Sequence, residues 1–261
     1  MEITSTSFED GGTIPGRCAF GVIDPEQHVA LSENRNPQLA WRDAPAGTRS
    51  FALLCIDADA PTVGDDVNQE GRSVPANLPR ADFVHWAMVD LPADCAEIAE
   101  GACSRGVTAG GKQQPDGPTG ARQGLNDYTG WFAGDADMGG TYRGYDGPCP
   151  PWNDERPHRY TFELLALDIS HCPVGDDFTA SEVHGGRRPC TRQRPHHRHL
   201  LAEPGRRQHL KPSPAATAAG VFLPRRHGNE PLQGFVVPSL RHRIGHRKPL
   251  RPLCRSAASP D

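Results

Sequence analysis

The chain lacks any run of about 18 apolar residues, so no membrane-spanning helix is expected. Its first residues, Met1-Glu2-Ile3-Thr4-Ser5, carry neither a basic patch nor an apolar core, and a secretory signal is not expected. There is no C-x-x-C pair among the eight cysteines (18, 55, 95, 103, 149, 172, 190 and 254), and no internal repeat. Neither H-E-x-x-H nor H-x-x-x-H occurs in residues 1–183, which removes the common helical zinc spacings there; H-x-x-x-H occurs once, at His242–His246. The G-x-S-x-G elbow of serine hydrolases is missing too. Cys55 lies inside an apolar run, which suits a buried, reduced thiol. A cytoplasmic location follows as the expectation.

What is present is unevenly distributed. Residues 1–183 carry 12 Lys and Arg against 29 Asp and Glu, a net charge of −17. Residues 184–261 carry 16 against 3, a net of +13. All four Trp and all four Tyr lie in the first part, while the second holds 8 of the 12 His and 11 of the 26 Pro. A stretch so poor in aromatics and rich in Arg, Pro and His buries too little apolar surface to offset chain entropy. One globular domain is therefore expected over 1–183, with a basic, mostly disordered tail over 184–261.

Within the first part, turn signals are dense and apolar runs short, which points to mainly β structure. Ser50–Ile56 reads as a buried strand that delivers Asp57 to its end. Val84–Val89 and Tyr160–Leu167 read as two more. Residues 62–82 and 102–144 are Gly-, Pro- and Asp-rich and read as long loops. Thr179-Ala180-Ser181-Glu182 is a capping-box pattern, yet Gly185-Gly186-Arg187-Arg188-Pro189 follows and continues a helix poorly.

Three segments carry the chemistry. Asp57-Ala58-Asp59-Ala60-Pro61 closes the first strand, and His85-Trp86 sits in the second. Gly144-Tyr145-Asp146-Gly147-Pro148-Cys149-Pro150-Pro151 is a rigid loop, followed by His158-Arg159-Tyr160. Taken singly, each has an ordinary explanation. An Asp-x-Asp after a strand is common turn chemistry, a strand histidine is commonly a satisfied core residue, and a Pro-Pro loop is a stiff connector.

Together and in this order they resemble the phosphatidylethanolamine-binding protein family, in its bacterial Raf-kinase-inhibitor-like (YbhB/YbcL-type) branch. Asp57, Asp59 and Pro61 match the family's D-P-D-x-P, with Ala58 in place of its second-position proline. Tyr145, Gly147, Pro148, Pro150 and Pro151 match G-Y-x-G-P-x-P-P, and His158, Arg159 and Tyr160 match H-R-Y. Asn36–Trp41, Pro45–Thr48 and Gly124–Tyr128 also fit, so the likeness spans about residues 3 to 182.

The resemblance implies a β-sandwich of a large and a small antiparallel sheet with short helices. It implies a small pocket of Asp57, His85 and His158 walled by Trp86, Tyr145, Pro148 and Pro151, for phosphate or a phosphoethanolamine head group. Protonated histidines and backbone N–H groups would donate to the anion, so binding would be tighter at pH 6 than at pH 8. Arg159 should face away from the pocket into a salt bridge. The implied role is non-enzymatic binding, with a kinase or protease as regulated partner and no cofactor. A metal-assisted ester hydrolase built on Asp57, His85 and His158 is the alternative; nonspecific nucleic-acid binding by the basic tail is a weaker one.

The resemblance also explains the aborted helix start. Members of the family go on with an Ala-rich helix and a closing strand resembling Gly-Thr-Tyr-Ser-Leu-Asn-Pro. With permitted synonymous codons, His196–Gly205 read one base later become Ile-Thr-Gly-Thr-Tyr-Ser-Leu-Asn-Pro. A frame shift near Gly185 is the hypothesis, and with it loss of the helix and the strand. Sequencing the gene is expected to reveal a single-base change that restores both; a gene in which no such change does so rejects the idea.

Overall fold

The computed structural model describes residues 1–185 and the backbone of 198–204. Eleven strands are described: β1 Glu2–Thr4, β2 Gly12–Ile14, β3 Gly21–Asp24, β4 His28–Leu31, β5 Leu39–Arg42, β6 Ser50–Pro61, β7 Arg80–Pro92, β8 Glu97–Ile98, β9 Arg122–Gln123, β10 Tyr160–Leu167 and β11 Arg198–Pro204. Helices are short, with α1 at Tyr128–Trp131 and α2 at Ala180–Gly185. The large sheet has the order β2-β11-β10-β6-β7-β9, the small sheet β1-β5-β8, and β3-β4 form a hairpin. All pairings are antiparallel except β11 with β2. No helix among the described residues is long and apolar enough to cross a membrane.

The seven-residue run Ser50–Ile56 can be apolar throughout because β6 is central and covered on both faces. One face presents Phe51, Leu53 and Cys55, with Met88 from β7 and Phe162 and Leu164 from β10, to Ile3, Leu39, Trp41 and Ile98 of the small sheet. The other face presents Ala52, Leu54, Ala87, Val89, Leu165 and Leu167 to Cys172, Phe178, Ala180 and Val183. A buried side chain of this size contributes about 1.5–3 kcal/mol, so these two layers hold the sandwich together.

The capping-box signal produces a helix, though a brief one. Glu182 accepts the Thr179 backbone N–H at 2.9 Å, and α2 seats Ala180 and Val183 on the sheet. The long loop after β6 is pinned from across the molecule. Asn153 Nδ2 lies 2.8, 3.1 and 3.3 Å from the carbonyls of Asp66, Arg72 and Gln69, while its Oδ1 accepts the Asn68 N–H.

Two expectations need correction. Residues 198–204, read from sequence as part of a disordered tail that had lost its closing strand, form β11 and cover the edge of β10 from Tyr160 to Leu164. Backbone pairing needs no particular side chain, which is why a basic, proline-bounded segment can serve. The rest of the tail, with its arginine pairs, lies outside the described residues. Second, Cys18, Cys55, Cys95, Cys103 and Cys149 are free thiols, but Cys172 is disulfide-bonded.

A chain ending at Gly185 would lose β11 and expose the β10 edge. It is expected to melt roughly 5–15 °C lower and to self-associate through that edge. Calorimetry with light scattering measures both; an unchanged midpoint in a monomer would show that β11 contributes no stability.

Candidate functional site

The site lies where β6, β7 and β10 run side by side and the apolar run on β6 gives way to acids. Tyr160, Asp57 and Phe83 form one row across the three strands. In the next row Cys55 faces Trp86 while Ile56 faces Val84, so His85 is an extra residue, a β-bulge. In a regular strand His85 and Trp86 would point to opposite faces. The bulge re-aims His85, and its ring packs 5.1 Å from Tyr160, 5.0 Å from Phe83 and 5.5 Å from Tyr128. Trp86 remains on the same face among the core of Tyr145, Cys55 and Phe162.

Asp57 and His158 begin a chain of alternating charges. Asp57 Oδ2 is 2.6 Å from His158 Nδ1, and His158 Nε2 is 3.1 Å from Asp154 Oδ2. Arg80 closes the chain with Nη1 2.5 Å and Nη2 3.0 Å from the Asp154 carboxylate. All four side chains are at most 5% exposed. Burial alone would lower the His158 pKa, but hydrogen bonds to Asp57 and Asp154 outweigh it and raise the value above 6.5. Both ring nitrogens thus meet carboxylates. His158 is not the free N–H donor to an anion that the sequence suggested.

His85 differs. Its Nδ1 is 2.7 Å from the Asp146 carbonyl oxygen, which can only accept, so Nδ1 carries the proton. Burial lowers its pKa below 6.5, against the opposing pull of Asp57, the Asp146 carbonyl and Asp127. Its Nε2 makes no hydrogen bond to the described residues. Tyr160 Oη is also without a partner, although Tyr160 is 0% exposed. Among the described residues, His85 Nε2 and Tyr160 Oη, on either side of Asp57, are thus the polar atoms here without a hydrogen-bond partner.

The other expected residues build the frame. Asp59 is fully buried, and its carboxylate accepts the backbone N–H, Nε and Nη2 of Arg159 at 3.0, 2.8 and 3.1 Å, and pairs with Arg156 at 2.8 Å. Arg159 thus makes the salt bridge expected of it. Trp86 Nε1 donates to Gln123 at 2.7 Å, and Tyr145 Oη donates to the Cys18 carbonyl at 2.6 Å. Both rings are fully buried and pack edge-on against each other. Gly147 serves close packing: a Cβ there would sit 2.2 Å from the Cys18 carbonyl oxygen, and its N–H donates to Asn34 Oδ1. The Pro148 carbonyl accepts the Phe20 N–H at 3.0 Å. Pro150 and Pro151 are half-buried on the way to Asp154, and Pro61 ends β6 opposite Arg80.

Several residues that matter were not singled out in advance. Asp146, the variable position of the Tyr-x-Gly-Pro loop, is 1% exposed. Its carboxylate accepts from Asn34 at 2.7 Å, Lys112 at 2.5 Å and Asn126 at 2.8 Å. Tyr128 Oη donates to the Gly147 carbonyl at 2.8 Å. Asp154 and Arg80 had no motif, and only their partners mark them.

The family model of phosphatidylethanolamine-binding protein matches residues 4–186. The chain belongs to the phosphatidylethanolamine-binding protein family. Among its relatives is UPF0098 protein YbhB of Escherichia coli, 32% identical over 183 residues, or 70% of this chain and 88% of YbhB. UPF0098 protein YbcL of the same organism is 31% identical over 183 residues, 70% of this chain and 77% of YbcL. The crystal structure of E. coli YbcL, titled a new member of the mammalian PEBP family, superposes with a TM-score of 0.51. That likeness spans 78% of this chain and 96% of YbcL at 23% identity, a likeness of fold. A homologue from Chlamydia trachomatis gives 0.50, at 21% identity, over 78% and 97% of the two chains.

The raised His158 pKa links stability to pH. Because the folded value lies above the unfolded 6.5, its contribution is complete below pH 6.5 and is lost as pH rises through the folded value. The lowered value of His85 acts in the window below 6.5, where stability falls as pH falls. Resistance to urea should therefore fall as pH rises above 6.5. In Asp154→Asn that slope should flatten and the His158 pKa, followed by NMR, should drop toward 6.5. An unchanged His158 titration would exclude Asp154 as its partner in solution.

Proposed function

We propose that this chain binds small phosphoryl or carboxyl anions, phosphoethanolamine-type head groups among them, without catalysing their turnover, and regulates a kinase or protease partner. One observation supports the reading above the rest. Among the described residues, Tyr160 Oη is a fully buried hydroxyl with no partner, beside a histidine whose Nε2 is also unbonded. An unpaired buried polar group costs about 1–3 kcal/mol. A pocket that carries this cost in the free protein is suited to a ligand that removes it. The hydrolase alternative is disfavoured because both nitrogens of His158 engage carboxylates, leaving no lone pair for a metal. Nucleic-acid binding by the described domain is opposed by its excess of acids.

Titration with O-phosphorylethanolamine, followed by amide NMR, should move the resonances of His85, Asp146 and Tyr160. Tyr160→Phe should weaken binding about tenfold while leaving the fold unchanged or slightly stabilised, since the hydroxyl has no partner to lose. Binding untouched by the substitution would remove Tyr160 from the site, and a spectrum that never moves would defeat the anion reading.

A further inference from the structure

The groups that face the ligand are poorly supplied with protons. His158 directs both N–H groups at Asp57 and Asp154. The Gly147 N–H is taken by Asn34 Oδ1, and the Asp146 N–H by the His85 carbonyl. His85 commits its one neutral-form proton to the Asp146 carbonyl, so Nε2 is a lone pair. Asp57 accepts the Asp59 N–H on Oδ1 and His158 on Oδ2, and it too offers only lone pairs. Among these described groups, Tyr160 Oη alone has a proton to give.

From this we infer that the pocket selects small oxyanions that still carry one acidic proton, such as the monoanion of a phosphomonoester or phosphonate, with the ligand O–H donating to His85 Nε2 and Tyr160 donating to a second ligand oxygen. A fully ionised phosphoryl group would set its own lone pairs against those of Nε2 and Asp57. The inference rests on the anion-binding role proposed above and replaces protonated histidine as the proton source. Protonating His85 instead would bury a second cation beside His158. The titratable groups around the ring are Asp57 from β6, Asp127 and Tyr128 at α1, Asp146 from the proline loop, and Tyr160 from β10. Their pull on the ring is outweighed by its burial.

The test compares methylphosphonate with methanesulfonate, two anions of nearly the same shape and, at about pH 5, below the second ionisation of a phosphoryl group at about 6, of similar charge. They differ by one O–H. Methylphosphonate should bind the full chain about tenfold or more tighter, measured by NMR shift titration. Equal affinities would overturn the inference, making the His85 imidazolium the donor and leaving the anion role standing. If neither anion binds, both readings fall. A second measurement needs no ligand: the nitrogen-15 shift of His85 Nε2 at neutral pH should be that of an unprotonated ring nitrogen, and an N–H there would also overturn the inference.

Discussion

Burying carboxylates is the constraint on which the ligand end of this molecule depends. Asp57, Asp59, Asp146 and Asp154 are all almost fully withdrawn from water. An ionised carboxylate in such a place costs several kcal/mol unless it is paired and hydrogen-bonded. Each one therefore summons partners from elsewhere in the chain: Arg159 and Arg156 to Asp59, Lys112 with two asparagines to Asp146, Arg80 and His158 to Asp154. These pairings tie β6, β7, β10 and three long loops into one rigid end. Losing either member of a pair leaves the other as an uncompensated charge, so the geometry has few alternatives.

The same pairings determine how little is left for a ligand. Arg80, Asp154, His158 and Asp57 form a chain in which each charge meets its opposite, and the sum is close to neutral when His158 is protonated. The site is therefore not a basic hole that captures any anion by charge. In the proposed reading, recognition falls to hydrogen bonding by a few groups whose proton positions are set by their neighbours. In a low-dielectric pocket such matching discriminates more sharply than charge alone.

A single extra residue in β7 makes the pocket possible. Without the bulge at His85, one of His85 and Trp86 would leave the face that Asp57 and Tyr160 share. With it, Trp86 and Tyr145 pack edge-on in the core, while His85 has one nitrogen fastened to the loop. The proline loop acts chiefly through its backbone: the Asp146 carbonyl holds His85, the Gly147 carbonyl holds Tyr128, and the Pro148 carbonyl holds Phe20.

Much of this was legible from the chain alone. The run Ser50–Ile56 announced a strand buried on both faces, the box at Thr179 a helix, and three ordered motifs the family, its sandwich and the neighbourhood of Asp57, His85, His158 and Tyr160. These are local or pattern-level properties, set by period, propensity and residue order. What only the tertiary structure decided was which matched residues are held in the frame and which keep a polar atom without a partner among the described residues. Asp59, Trp86, Tyr145 and Gly147 belong to the frame because strand register, a bulge and distant cations such as Arg80 and Lys112 claim or orient them. It also decided that 198–204 pairs with β10, because backbone hydrogen bonds accept almost any sequence and therefore leave little trace in one.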